Sequence, residues 1–175
     1  MKMNFIHILS VFVLCFIGSN VYAQTPYEIK LDSETGSKIY KGNINKYTLL
    51  NDSSFTWYKQ SQEAYTPELS LIKDLEKYGQ TVHFIVFGGT WCDDSQYIMP
   101  RFFELMEKSG VADSTITLFG VDRKKQTTSN LSEAMNITRV PTILLFQNGK
   151  EIGRIVEYGT TGKWDQELAD LLPRK

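Results

Sequence analysis

The stretch "VHFIVFGGTWCDDSQYIMPRFFELM", residues 82–106, decides how this chain is read. Its first part, Val82–Gly89, is a near-continuous apolar run, the pattern of a strand buried on both faces. Its second part repeats Ile98, Met99, Phe102, Phe103 and Met106 at helical spacing, so a helix is expected after Cys92. Pro100 falls inside that helix and is expected to kink it, because an interior proline costs around 3 kcal/mol unless the fold compensates. A strand, a Gly-Gly turn and a helix thus converge on one thiol. Open α/β sheets place their sites just past the carboxyl ends of parallel strands, which is where "GGTWC" falls.

Outward from that junction the pattern alternates. "TPELSLIKDLEKYG", residues 66–79, predicts a helix capped by Thr66, with Pro67 in its first turn and Gly79 at its exit. "TITLFGVD", residues 115–122, reads as a second buried strand. "SNLSEAMN", residues 129–136, reads as a short helix that Asn130 and Glu133 could cap. "PTILLFQNGKEIGRIVEYG", residues 141–159, carries two strands around Asn148-Gly149, a strong hairpin signal. Trp164, Leu168, Leu171 and Leu172 mark a closing helix. The order predicts an α/β fold, a mixed central β-sheet flanked by helices. Residues 24–65 are polar and irregular; "KYTLL" (46–50) and "FTWY" (55–58), split by "NDSS", suggest a small hairpin in an N-terminal extension.

The first 23 residues read as a secretory signal peptide: Lys2, an apolar run from Phe5 to Ile17, then the small-residue exit "SNVYA". Spanning a bilayer takes roughly 20 apolar residues, so that run is short for a permanent anchor. The expected location is therefore exported, periplasmic or extracellular, in a bacterial envelope, with no stable membrane span after cleavage. Cys15 would leave with the peptide, so Cys92 and His83 would be the one cysteine and one histidine of the mature chain. One of each cannot build a structural zinc site, and no metal or cofactor is expected. A lone cysteine allows no internal disulfide, so stability has to come from packing. His83 sits within the apolar run and is expected to be a hydrogen-bonded core residue. The formal charge of −1 gives no electrostatic case for nucleic acid.

At these residues the sequence resembles the thioredoxin family. "TWCDDS" is similar to the family's W-C-x-x-C site, and Pro100, eight residues after Cys92, matches its helix proline. "ITRVPTILLFQNGKEI", residues 137–152, resembles the segment that holds the family's cis-proline and its hairpin. Gly159 matches a glycine of the substrate groove. The resemblance runs from about Thr66 to Leu172, with a start at Phe55 also open, and implies a thioredoxin-like domain over residues 66–175. It implies Cys92 as the nucleophile, with Trp91, Val140, Pro141 and Gly159 lining a peptide groove, the Val140–Pro141 bond cis, and the Val140 backbone beside Cys92. Two positions depart from the family: its second cysteine is Ser95, and its buried acid is Val86.

Both departures remove the same half of the dithiol cycle. A thiolate at Cys92 can attack a disulfide sulfur to give a mixed disulfide, but a serine hydroxyl cannot resolve it. The helix N-terminus favours the thiolate, Asp93 and Asp94 oppose it, and Ser95 could donate a hydrogen bond to the sulfur. The aspartates could instead cap free N–H groups, or select cationic partners. Asp122 and Arg139 are expected to face solvent. The expected activity is monothiol thiol–disulfide exchange with disulfide- or thiol-bearing protein substrates, an external thiol resolving the adduct, in a monomer. A redox-inactive peptide-binding or chaperone-like module is the alternative. A peroxide-reacting thiol is a weaker third, since it needs a cation that this motif does not supply.

Overall fold

A computed structural model describes residues 25–174; the expected signal segment, residues 1–23, lies outside them. Strands β1 (Tyr27–Leu31) and β2 (Lys38–Ile44) are followed by helices α1 (Lys46–Leu50), α2 (Thr56–Glu63) and α3 (Leu69–Tyr78). Strand β3 (His83–Gly88) leads into α4 (Asp93–Lys108), and β4 (Ile116–Gly120) into the one-turn α5 (Leu131–Ala134). The chain closes with β5 (Thr142–Gln147), β6 (Lys150–Val156) and α6 (Trp164–Asp170).

The six strands form one mixed sheet in the order β1-β2-β4-β3-β5-β6. β3 and β4 are parallel, and the other neighbours are antiparallel. The expected α/β architecture is the observed one. β3 explains why its sequence is so apolar, since alternate side chains enter two different cores. Phe84 and Val86 join Ile98, Phe102, Leu105 and Met106 of α4 in the larger one. Phe87 points the other way, to Val121, Ile137, Val140 and Leu144. Each such fully buried side chain contributes about 1.5–3 kcal/mol. Asn148 (φ 51°) and Gly149 (φ 75°) both take left-handed backbone, as a two-residue hairpin turn between β5 and β6 requires.

Pro100 lies buried inside a continuous α4, with side-chain bonds next to it. The Tyr97 carbonyl, one turn back, accepts from Arg101 Nη1 at 2.8 Å and from Ser61 Oγ at 2.9 Å. Packing of α2 on α4 therefore supplies polar partners next to the proline as well as apolar contact.

Several local expectations are corrected. "KYTLL" and "FTWY" are helical, not strands: Asn45 and Thr48 form a reciprocal capping box that starts α1, and α2 buries Tyr58. A hairpin does exist in the extension, but it is built from residues 27–44. Thr66 makes no cap on α3; the N-cap residue is Glu68, extended (ψ 141°), and α3 starts at Leu69. Asn130 makes no side-chain cap on α5. His83 opens β3 with an exposed side chain, not a core one, its Nε2 2.9 Å from Thr117 Oγ1 on the neighbouring strand.

Strand directions bring the chain ends that matter to one edge of the sheet. The carboxyl ends of β1, β4, β3 and β6 and the starts of β2 and β5 all lie there. Along that edge, Cys92 follows β3 and Val140–Pro141 precedes β5, between the loop after β4 and the loop after β6.

Candidate functional site

Cys92 is the N-cap residue of α4, half-buried, with its amide donating to the Gly89 carbonyl at 3.0 Å. Its Sγ donates to the Val140 carbonyl at 3.3 Å, and the Val140–Pro141 peptide is cis. Thiol and backbone groove are thus in direct contact. The sulfur packs with Trp91 against the smaller core, so one side is apolar and the other open.

Trp91 is fixed at both ends. Its Nε1 donates to the Val121 carbonyl at 2.9 Å, and its ring covers Gly89, where an added Cβ would come within 2.7 Å of the indole. The "GG" before the site is therefore a demand for space at Gly89. Thr90 is held by the extension, its Oγ1 donating to the Lys38 carbonyl at 2.7 Å and accepting from the Tyr40 amide at 3.4 Å. Gln96 Nε2 donates to the Thr90 carbonyl at 2.8 Å from the other side.

Ser95 is fully buried, and its Oγ accepts the Gly89 amide at 3.1 Å. Among the described residues no bond joins it to the Cys92 sulfur, so the expected donation to the thiol is absent: Ser95 ties the turn before the site to α4. Val86 is likewise buried in the larger core. Asp93 and Asp94 stand in the first turn of α4, but Cys92 makes no side-chain cap and neither aspartate acts as one. Asp94 lies instead by Tyr158, whose hydroxyl is shifted upward in pKa by burial and then by that carboxylate. Gly159 follows in left-handed backbone (φ 78°), and a Cβ there would strike the Glu167 carboxylate. That carboxylate accepts from the Thr160 and Thr161 amides, and the bonds, with the Thr161 hydroxyl the strongest influence, hold it down to about pKa 2.

The sequence reading missed the groups that flank these residues. The Arg123 guanidinium lies 5.0 Å from the Trp91 ring centre and Lys125 Nζ 5.4 Å from it. Arg123 is gripped by the extension: Asp32, its side chain almost wholly buried, takes Nε at 2.8 Å and Nη2 at 2.7 Å, and Glu34 takes Nη1 at 2.9 Å. Asp32 foremost, then Glu34 and more weakly the Cys92 sulfur, raise the Arg123 pKa. A cation thus stands beside Trp91, supplied by a loop 31 residues past Cys92. Asp122 does not simply face solvent; it pairs with Lys41 at 2.7 Å and receives the Lys124 and Gln126 amides, closing the same loop. On the opposite flank the Tyr97 and Tyr158 rings are exposed and 5.7 Å apart, with the Arg101 guanidinium 3.4 Å from the Tyr97 centre. The signals were "DRKK" after a strand and an aromatic, Tyr97, outside the apolar stripe of its helix. Among the described residues no cluster of His, Cys, Asp and Glu could hold a metal ion, and no helix is long and apolar enough to cross a membrane.

A Thioredoxin family model matches residues 56–170, a span that includes α2 and ends with α6. A thioredoxin of Mycobacterium tuberculosis is 30% identical over 89 residues, covering 50% of this chain and 71% of that protein. The chloroplastic thioredoxin Y of Oryza sativa is 34% identical over 80 residues, 46% of this chain and 44% of its own. Among solved structures, a Pseudomonas aeruginosa protein of unknown function superposes with a TM-score of 0.53 over 74% of this chain and 89% of its own, at 14% identity. That last likeness is one of fold. The family match leaves residues 25–55 outside it.

Proposed function

Because this chain belongs to the thioredoxin family, we propose that it carries out thiol–disulfide exchange through Cys92 alone, as an exported monothiol oxidoreductase or isomerase. The observation that supports this most is the Cys92 sulfur 3.3 Å from the Val140 carbonyl, half-buried at the start of a 16-residue helix. A partner chain laid along the Val140 backbone would bring its disulfide to that sulfur.

In the first step the Cys92 thiolate attacks one sulfur of the substrate disulfide. A new S–S bond forms as the old one breaks, and the second substrate sulfur leaves as a thiolate. Ser95 cannot attack the adduct, and its hydroxyl is committed to the Gly89 amide. An external thiol therefore attacks the mixed disulfide and expels one partner. With two equivalents of that thiol, the substrate leaves as two thiols and the external thiol as its disulfide. Trp91, Val140, Pro141 and Gly159 border the groove, and Asp93 and Asp94 bias its charge. Export to a periplasm or beyond is part of the same reading and rests on residues 1–23.

The test compares the protein with Cys92→Ala after incubation with oxidised extract, identifying trapped mixed disulfides by mass spectrometry. Adducts that need Cys92, together with reductase activity that needs added thiol, are expected. Partner capture that persists unchanged in Cys92→Ala, with no adducts, replaces this reading by a peptide-binding module, which the exposed Tyr97–Tyr158 pair would suit.

A further inference from the structure

We infer that the cleft around Cys92 is charge-polar, and that it selects disulfides flanked by an acidic residue on the Lys125 side and a basic residue on the Tyr158 side. This rests on the exchange reading above and names the class of substrate it serves.

Strand order sets the geometry. At the edge where Cys92 and Val140 meet, the loop after β4 lies on one side and the loop after β6 on the other. A segment paired with the Val140 backbone has both loops within reach. On the β4 side two cations face the indole of Trp91, and they are not equivalent. Arg123 is consumed by Asp32 and Glu34. Lys125 has no ion-pair partner among the described residues. Its backbone is left-handed (φ 62°), in a turn closed by its amide on the Asp122 carbonyl at 2.8 Å. Asp122 is in turn tied to Lys41 of β2. A free ammonium is thus presented beside Trp91 by a turn that the extension anchors.

The β6 side has the opposite character. Asp94 lies by Tyr158, and neither it nor the exposed Asp93 has an ion-pair partner among the described residues. The Tyr97 and Tyr158 rings offer exposed, electron-rich faces next to those carboxylates. Arg101 fills one face of Tyr97 and is itself bonded to Ser61 Oγ at 2.6 Å, which leaves Tyr158 open. Carboxylates together with tyrosine faces attract a lysine or arginine. An unpaired ammonium attracts a carboxylate. A chain that satisfies both carries opposite charges on the two sides of its cysteine.

The test uses pentapeptides with a central cysteine activated as a disulfide with thionitrobenzoate. The Cys92 sulfur attacks the peptide sulfur, and thionitrobenzoate leaves with the bonding pair as a coloured thiolate. The sequences Glu-Ala-Cys-Ala-Lys, Lys-Ala-Cys-Ala-Glu and Gln-Ala-Cys-Ala-Gln share the reacting group and differ in charge order. One of the two charged orders is expected to react about fivefold faster than the other at low salt, as two exposed ion pairs allow. The advantage should shrink at about 0.5 M salt. Lys125→Gln should remove the benefit of the acidic end, and Asp94→Asn that of the basic end. Release that depends on Cys92 but proceeds equally with all three peptides overturns the charge-polar cleft and leaves the exchange reading standing. No Cys92-dependent release from any peptide overturns the exchange reading, and this inference with it.

Discussion

Two hairpins close the two edges of this sheet, and the balance of packing to polar bonding differs between them. The β5–β6 hairpin is fixed by burial: Ile143, Leu144, Leu145 and Ile155 are each at most 3% exposed. In the β1–β2 hairpin Ile29 and Leu31 of β1 are exposed; Tyr40 and Ile44 of β2 do enter the larger core, but much of the remaining attachment is polar. Asp32 grips Arg123, Lys41 pairs with Asp122, and Lys38 pairs with Asp52 at 2.8 Å. Burial gives strength that pH and salt hardly touch. Polar ties give an attachment that conditions can loosen; those of Asp32 and Lys41 run into the loop that carries Lys125, and the Lys38 carbonyl holds Thr90 next to Trp91.

The largest effect should come from the buried hairpin. Leu145→Ala is expected to lower stability by about 2–5 kcal/mol, seen as a fall in the midpoint of urea unfolding. A loss below about 1 kcal/mol would mean that the edge is not secured by packing.

Asp32→Ala comes next and should act locally. It frees Arg123 from its buried partner, so amide exchange in residues 27–44 should speed up while the β5–β6 amides keep their protection. Trp91 emission, isolated by subtracting a Trp91→Phe protein, should shift as the cation over its ring loosens. Equal acceleration in both hairpins would erase the distinction.

Acid should separate the two regions next. Arg123 and Thr35 hold the Asp32 carboxyl well below the usual range. Burial pushes Asp52 up, but its bonds from Lys38, Ser54 and Tyr40 outweigh that and leave it well below normal too. Asp122 is likewise lowered overall, Lys41 and the loop amides overcoming its burial. A carboxylate depressed in the folded state contributes stability that is complete above its unfolded value of about 3.9 and is lost as pH falls toward the folded value. Limited proteolysis or hydrogen exchange at pH 3 should therefore open the first hairpin before the second, with little change between pH 8 and pH 5.

The smallest effect belongs to Leu31→Ala on the exposed strand, where a change within about 0.5 kcal/mol is expected in the same urea titration.

The contrast also explains what could be read from residues alone. β5 and β6 announce themselves by apolar runs around Asn148-Gly149, and β3 and α4 by the switch from continuous to helical periodicity at Cys92. These are short-range signals, and the contact of Cys92 with Val140 followed once the resemblance had fixed Pro141. The extension hid its structure because its decisive interactions are distant. Nothing local tells Asp32 from any solvated aspartate, since its partner lies 91 positions away. "KYTLL" has strand-like residues, yet Asn45 caps it into a helix by a side-chain bond that composition alone understates. Ser95 misled for the same reason: its hydroxyl faces a backbone amide six residues earlier, not the sulfur next to it in the motif.

The pairing of β2 along β4 has one more consequence, for anyone who would trim this protein to its recognisable domain. Cutting before Thr66 would strip a neighbour from β4, leave a row of amides and carbonyls without acceptors and donors, and bare Leu118 at the new margin. Naked margins of that kind stick to one another. What looks like a dispensable leader is the cover of that margin.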